Sequence, residues 1–247
     1  MSIYWFEQTQ AIVPEHDEWL AESELVVLGR MRIPKRRADW RLGRWTAKSA
    51  IASVLELPAR SQSFKDIKIL ADDSGAPKAY VGRNPASISI SLSHRDGVAA
   101  CSLTQSVAPL GCDLELIEAR DEAFVQDYFT AEEQLIIAQR GDRQRDQLVT
   151  TLWSAKESAL KALRVGLRAD TRSIEISLGD NPSACGRKNG ENESDSFSPW
   201  SRTWQPLRAR DRDGQALYGW WLGSANLIRT LVTASVTKPP AILAISS

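Results

Sequence analysis

The chain has 247 residues, and its 31 Lys and Arg balance its 31 Asp and Glu, so the formal net charge is zero. The hydrophobic share of 43% and the charged share of 25% are typical of a soluble globular protein and exclude disordered, collagen-like and histone-like chains. The first ten residues lack a basic stretch followed by an apolar one, so no signal peptide is expected, and no apolar run is long enough to span a membrane. The three widely spaced cysteines indicate a reducing compartment, and we therefore expect a cytoplasmic protein without a disulfide framework.

Although the net charge is zero, the chain contains two segments of opposite charge. Residues 30–48 contain eight bases and one acid, whereas residues 113–133 contain eight acids and one base. Each segment on its own is compatible with a solvated helix face. The alternative is an anionic ligand at the first segment and a cation at the second.

The first half of the chain predicts one long helix and three short strands. Apolar and small residues recur at steps of three and four up to Pro58, which indicates a helix. Serine alternates with isoleucine and leucine from Ser87 to Ser93, which indicates a half-buried strand with the serines on one face. Asp96-Gly97 then indicates a hairpin turn. The predicted elements are a helix over 37–56 and strands over 67–70, 87–93 and 98–103.

After Pro109 the pattern predicts strands and three helices. Thr130 and Glu133 have the spacing of a helix capping box, and Gly166 ends the most strongly patterned helix. Residues 179–199 are rich in Ser, Gly and Asn, so we expect a mobile surface loop there. Mixed helices and antiparallel strands are typical of the α+β class. The predicted elements are helices over 121–129, 130–140 and 148–164 and strands over 110–117, 174–178, 203–207, 216–222, 229–235 and 241–245.

Three groups of side chains are candidates for chemistry. Asp113 and Glu115 are two positions apart on a strand, so their carboxylates share one face and either lie solvated at an edge or bind a divalent cation such as Mg²⁺. Trp153, Glu157 and Lys161 share one helix face. Glu157 and Lys161 form a surface ion pair in one interpretation. In the other, Glu157 is a metal ligand or general base and Lys161 contacts a phosphate.

Ser93-His94 ends a strand before a turn. A solvated histidine is one interpretation of this pair, and a phosphate contact is the other. The chain contains neither a Walker loop nor a dinucleotide fingerprint, and no Gly-x-Ser-x-Gly elbow. A phosphorylated ligand would therefore have to be held by side chains.

Five segments, in order along the chain, resemble the motifs of the Sfp-type 4′-phosphopantetheinyl transferases. The resemblance implies an α+β fold of two similar halves related by a pseudo-twofold axis, with the ligand in the cleft between them. We expect these halves over 1–109 and 110–247. The matching segments are Trp40 to Lys48, Gly75-Ala76-Pro77, Ser91-Leu92-Ser93-His94, Gly111-Cys112-Asp113-Leu114-Glu115 and Trp153 to Lys161.

The resemblance also implies the ligands. Mg²⁺, or Mn²⁺ in its place, is expected on Asp113, Glu115 and Glu157 and on the pyrophosphate of coenzyme A. Many relatives have a base where this chain has Ala76. The implied contacts with coenzyme A phosphates are Lys48, Lys78 (the candidate to replace that base), Ser93, His94 and Lys161. The basic group Lys35, Arg36 and Arg37 is expected to contact either the 3′-phosphate or the protein partner.

The implied reaction is transfer of 4′-phosphopantetheine from coenzyme A to a serine of an apo acyl or peptidyl carrier protein, with release of 3′,5′-ADP. Its catalytic residues are Glu157 and Lys161, and the base is either Glu157 or a metal-bound water. The carrier would serve fatty-acid, polyketide or non-ribosomal peptide synthesis. A monomer is expected, without nucleic-acid or membrane partners. The alternatives are a non-catalytic homologue that binds carrier proteins and another Mg²⁺-dependent phosphotransferase.

Overall fold

The computed structural model describes residues 1–58, 61–165, 169–179, 203–224 and 226–243. The chain divides into two compact units, Met1–Ala108 together with the residues from Ala241, and Pro109–Pro240. Both units combine helices with mainly antiparallel strands, so the fold is α+β. The loop predicted over 179–199 lies outside the described residues apart from its first residue, and so does Gly166.

The first unit packs one long helix against a four-stranded sheet. Its elements are β1 (Tyr4–Thr9), α1 (Glu22–Gly29), α2 (Pro34–Val54), α3 (Ser61–Phe64), β2 (Ile67–Ala71), β3 (Pro77–Val81), β4 (Asn84–Pro85), β5 (Ser89–Arg95), β6 (Val98–Thr104) and β12 (Ala241–Ile242). The larger sheet has the order β12-β1-β6-β5 and the smaller one the order β2-β3-β4. A proline at the first position suits the start of α2, because that residue has no helical partner for its N–H.

The second unit packs its long helix against one antiparallel sheet. Its elements are β7 (Leu110–Leu116), α4 (Glu122–Tyr128), α5 (Ala131–Ala138), α6 (Asp142–Leu163), β8 (Ile174–Leu178), β9 (Gln205–Asp211), β10 (Ala216–Ser224) and β11 (Leu227–Thr233). The sheet has the order β7-β11-β10-β9-β8. The predicted capping box is confirmed, since the Thr130 hydroxyl accepts from the Glu133 N–H and the Glu133 carboxylate accepts from the Thr130 N–H. Helix α6 begins six residues before the predicted start and ends before Arg164, which has a left-handed backbone (φ 58°).

The two units share one order of elements. In the first unit the strands follow the order β1, β6, β5 and then β3, β2. In the second unit the corresponding strands follow the order β7, β11, β10 and then β9, β8. In the first unit these strands belong to two separate sheets, with β3 in contact with β5, whereas in the second unit they form one continuous sheet. The long helices also share a sequence signature, Trp45-Thr46-Ala47-Lys48 on α2 and Trp153-Ser154-Ala155-Lys156 on α6. The units therefore have the same local architecture.

Two sequence-based expectations differ from the structure. The first part of β5 is buried on both faces rather than half-buried, because Ser89 and Ser91 are only 6% and 3% exposed, and Ser89 accepts a hydrogen bond from the Ala108 N–H. The last predicted strand is short and pairs in parallel with β1, so the chain from Ala241 belongs to the first unit rather than the second. Within the described ranges, no helix has both the length and the apolar character that a membrane span requires.

Candidate functional site

The predicted carboxylates lie where β7 runs close against α6. Gly111 makes this approach possible, because a Cβ there would lie 1.9 Å from the carbonyl oxygen of Ser158 on α6. Side chains two and four positions further along the strand leave it on the same face. The glycine of the Gly-x-Asp-x-Glu pattern is therefore a steric requirement for presenting Asp113 and Glu115 to the helix.

Asp113 joins the strand to the helix through both of its oxygens. Lys161 Nζ donates to Asp113 Oδ1 at 2.8 Å and to the Cys112 carbonyl at 2.9 Å. Ser154 Oγ donates to Asp113 Oδ2 at 2.9 Å. Trp153, which shares a sequence face with Glu157 and Lys161, instead forms edge contacts with aromatic rings of α4. Trp153 is thus a packing residue.

Glu157 lies among like charges in a buried position. Burial raises the pKa of Glu157 to about 7, with Asp113 and Glu115 contributing and Lys161 opposing. Its Oε1 is buried and accepts no hydrogen bond from any residue that the structure describes. Burial is the largest influence on the pKa of Lys161 and lowers it, but Asp113, Cys112 and Glu157 together outweigh burial, so the net direction is upward. Three carboxylates thus face one ammonium, which leaves an excess of negative charge.

The residue types at this cluster fit a hard divalent cation. Carboxylate oxygens are the protein ligands that Mg²⁺ prefers, and the buried Oε1 of Glu157 has no other partner in the described part of the chain. Among the described residues, no group of three or more His, Cys, Asp and Glu side chains is arranged to hold a metal ion as it stands. In this arrangement the ammonium of Lys161 balances Asp113 instead.

The first unit contains a basic cavity of about 520 Å³ that includes the predicted Ser93-His94 pair. The pair comes from the end of β5, and Lys35, Arg36 and Arg44 line the cavity from α2. A larger cavity of about 780 Å³ in the same unit is lined by none of the predicted site residues. The structure thus brings together the strand end and part of the basic segment, as a phosphate site requires.

Arg44 is a candidate that the sequence analysis missed. Its guanidinium carbon lies 4.8 Å from the centre of the Trp40 ring, and its buried Nε donates to no residue in the described part of the chain. Burial lowers the pKa of Arg44, with Glu24 opposing. A dehydrated guanidinium gains from an anion in the cavity. The spacing of Trp40 and Arg44 by four positions on a helix was the signal that could have identified it.

Lys48 does not have the environment of a phosphate contact, which corrects the expectation. Its side chain is fully buried, and Nζ lies 2.5 Å from Glu24 Oε2. The same ammonium donates to the carbonyls of Trp19 and Phe64 at 3.1 and 2.9 Å. Because an ammonium has three N–H groups, these contacts use all of them.

The second unit repeats this arrangement at Lys156. Its fully buried ammonium pairs with Glu133 at 2.8 Å and donates to the carbonyls of Thr171 and Ile174. Each buried glutamate also accepts a backbone N–H from a neighbouring strand, Ile69 in the first unit and Ile176 in the second. The lysine of the shared signature is therefore structural in both units.

Lys78 is not brought to the basic cavity. It is an exposed residue of β3, with Nζ 5.7 Å from the centre of the Tyr80 ring, and it is not among the residues that line the cavity. The Ala76 N–H in the adjoining turn donates to Asp72 Oδ1 at 3.1 Å. The predicted replacement of the missing base by Lys78 is thus without structural support, and Arg44 is the better candidate.

Comparison with known proteins identifies a family. A model described as the 4′-phosphopantetheinyl transferase superfamily matches residues 109–215. A holo-[acyl-carrier-protein] synthase of Streptococcus agalactiae is 34% identical over 84 residues, which is 34% of this chain and 71% of that protein. The 4′-phosphopantetheinyl transferase HetI of Nostoc sp. is 25% identical over 163 residues, covering 64% of this chain and 65% of HetI. A holo-[acyl-carrier-protein] synthase of Geobacillus kaustophilus is 34% identical over 79 residues, 31% of this chain and 61% of that protein.

Proposed function

The chain belongs to the 4′-phosphopantetheinyl transferase superfamily, and we propose that it transfers 4′-phosphopantetheine from coenzyme A to a serine of an apo acyl or peptidyl carrier protein in a Mg²⁺-dependent reaction. The observation that supports this most strongly is the cluster on β7 and α6, where Lys161 pairs with Asp113 beside a Glu157 of raised pKa. Such a cluster suits the binding of a phosphorylated ligand through a divalent cation.

The carboxylates of Asp113, Glu115 and Glu157 are the proposed holders of Mg²⁺, with Mn²⁺ as an alternative. When bound, the cation supplies positive charge beside the pyrophosphate of coenzyme A. Lys161 supplies a further positive charge from α6, and its upward-shifted pKa keeps it protonated at neutral pH. Together these residues position the phosphates and offset their charge.

The carrier serine supplies the nucleophile, so the enzyme requires none. The serine oxygen forms a bond to the β-phosphorus of coenzyme A, the bond from that phosphorus to the bridging oxygen breaks, and 3′,5′-ADP leaves with that oxygen. The serine proton passes to a base, and Glu157 is our candidate because its carboxylate lies beside Asp113 and Lys161, where the phosphates are proposed to bind. Positioning and charge neutralisation are the usual sources of rate in such reactions.

We propose that the basic cavity of the first unit binds a phosphate of coenzyme A. Ser93 and His94 offer a hydroxyl and an imidazole from β5, and Lys35, Arg36 and Arg44 offer positive charge from α2. Arg44, rather than Lys78, then replaces the base that is missing at position 76. Lys35 also pairs with Asp39, which lines the same cavity, at 2.8 Å. Arg37 and Arg41 have structural partners elsewhere, since Arg37 donates to the Leu28 carbonyl at 2.6 Å and Arg41 to Asp17 at 2.7 Å.

The pseudo-twofold relation of the halves, with coenzyme A between them, stays a proposal that follows from the resemblance. The shared order of elements and the matching Lys48–Glu24 and Lys156–Glu133 pairs support a common architecture of the halves. On α2, Ser49 and Ser53 stand where α6 has Glu157 and Lys161, counted from the shared tryptophan. We therefore place the metal in the second unit alone.

A transfer assay tests the proposal. The protein is incubated with coenzyme A, Mg²⁺ and a panel of apo acyl and peptidyl carrier proteins, and each carrier is weighed intact by mass spectrometry. The expected result is a gain of one 4′-phosphopantetheine group on at least one carrier. Carrier binding without any mass gain would instead identify a non-catalytic homologue, and phosphate transfer to a small nucleotide would identify another Mg²⁺-dependent phosphotransferase.

A further inference from the structure

Asp113 is the end point of a buried chain of three hydroxyl groups. Ser154 Oγ lies 2.9 Å from Asp113 Oδ2 and 2.8 Å from Thr230 Oγ1, and Ser158 Oγ lies 2.7 Å from Thr230 Oγ1. Ser154, Ser158 and Thr230 are all 0% exposed, and Asp113 is 4% exposed. The two serines are one turn apart on α6, and Thr230 approaches them from β11, opposite Asp113 in the ladder.

The direction of the hydrogen bonds follows from proton counting. An ionised carboxylate only accepts, so Ser154 donates its proton to Asp113. The contact between Ser154 and Thr230 then has Thr230 as donor, with its proton between Ser154 Oγ at 2.8 Å and the Ser154 carbonyl at 2.9 Å. Ser158 in turn donates to Thr230, so every proton of the chain points toward Asp113.

We propose that Thr230 is a positioning residue for the transfer reaction, which holds Ser154 so that Asp113 keeps Oδ1 directed at Lys161 and stays in place as a ligand for the proposed cation. Oδ2 is held by Ser154, so the carboxylate has little freedom to rotate. Bonds in such a chain polarise and strengthen one another at low dielectric. The proposal rests on the proposed function, because it concerns a ligand of the proposed metal.

Removal of the Thr230 hydroxyl tests this role. Thr230→Val keeps the shape of the side chain but removes the hydroxyl that links Ser154 and Ser158, while Ser154 keeps its bond to Asp113 and Ser158 its 3.3 Å contact with the carbonyl of residue 230. Thr230→Ser keeps the hydroxyl. Binding of Mn²⁺ to the purified full chain, without coenzyme A, is measured by the electron paramagnetic resonance signal of free Mn²⁺. We expect Thr230→Val to weaken Mn²⁺ binding about fivefold, as loss of one buried hydrogen bond between neutral groups implies, and Thr230→Ser to restore it to within about twofold.

Thr233→Val is the matched control. Thr233 lies on the same strand, is 0% exposed and donates to the Pro109 carbonyl at 2.8 Å. This hydrogen bond is not part of the hydroxyl chain that ends at Asp113. Thr233→Val also removes one buried hydroxyl, so we expect its melting temperature to drop as much as that of Thr230→Val while its Mn²⁺ affinity stays unchanged. Equal Mn²⁺ affinity in Thr230→Val and the unaltered protein would overturn the inference, and so would equal weakening in Thr233→Val.

Further results distinguish failure of this inference from failure of the proposed function. If Thr230→Val does not fold, Ser158→Ala shortens the chain at its far end, and a two- to threefold weakening of Mn²⁺ binding is expected, whereas no change would refute the role of the chain. If the unaltered protein transfers phosphopantetheine but Thr230→Val binds Mn²⁺ normally, only this inference fails. If the unaltered protein neither binds Mn²⁺ nor catalyses transfer, the proposed function fails and the inference falls with it.

Discussion

Glu157 makes the metal-free protein less stable as the pH rises. Its pKa is raised from 4.5 to about 7 in the folded chain, so below pH 4.5 it is protonated in both the folded and the unfolded states and has no effect. Between these values the unfolded chain releases the proton while the folded chain keeps it, so the free energy of unfolding falls. At about 1.36 kcal/mol per pKa unit, the loss above pH 7 amounts to about 3 kcal/mol.

The assay is denaturant unfolding in the presence of EDTA at pH 5 and pH 8, for the unaltered protein and for Glu157→Gln, which cannot titrate. We expect the free energy of unfolding of the unaltered protein to fall by about 2.5 kcal/mol more than that of Glu157→Gln between the two values, because part of the loss already occurs below pH 5. Mg²⁺ should restore most of this loss at pH 8 and little at pH 5, because the cation favours the ionised carboxylate. Identical pH profiles for the two proteins would refute the electrostatic reasoning about this cluster.

Three further variants test separate parts of the account. Arg44→Ala should raise KM for coenzyme A about tenfold in steady-state transfer assays, whereas Lys78→Ala should change it less than twofold; the reverse order would return the phosphate contact to Lys78. Gly111→Ala should destabilise the protein by about 3 kcal/mol in denaturant titrations, and Gly29→Ala, which meets nothing within 4 Å, should not; equal stability would contradict the close approach of β7 to α6. Lys48→Met should cost about 3–5 kcal/mol of stability because it leaves a buried glutamate unpaired, and a raised KM for coenzyme A at unchanged stability would refute its structural role.

The motifs of the second unit could be predicted well from sequence because their spacing matches their geometry. Positions i and i+2 of β7 present Asp113 on the face toward α6, and positions four apart on α6 place Glu157 and Lys161 on one side of the helix. Both rules depend only on backbone geometry, so they transfer directly from sequence to structure.

Burial and partner choice could not be predicted in the same way. The resemblance implies Lys48 as a phosphate contact, but its position against Trp19 and Glu24 depends on residues far away in sequence. Likewise Ser89 and Ser91 of β5 are buried, although their alternation with apolar residues indicates a solvent-facing side of the strand. Tertiary contacts decide such environments, and a local pattern contains no information about them.

One sequence signal was present but not used. The signature Trp-(Thr/Ser)-Ala-Lys occurs once on α2 and once on α6, and in both helices its lysine binds the glutamate at the third position of the preceding helix. A comparison of the two segments would have shown that the lysine recurs while Glu157 and Lys161 do not. That contrast separates the structural residues of the motif from the candidates for chemistry.

The most direct test of the account is the mass of an apo carrier protein after incubation with coenzyme A, Mg²⁺ and either the unaltered protein or Glu157→Gln. The account predicts a gain of one 4′-phosphopantetheine group and release of one 3′,5′-ADP per carrier with the unaltered protein. It predicts almost no gain with Glu157→Gln, although the circular dichroism spectrum of that variant should be unchanged. Normal turnover by Glu157→Gln, or no gain on any carrier with the unaltered protein, would contradict it.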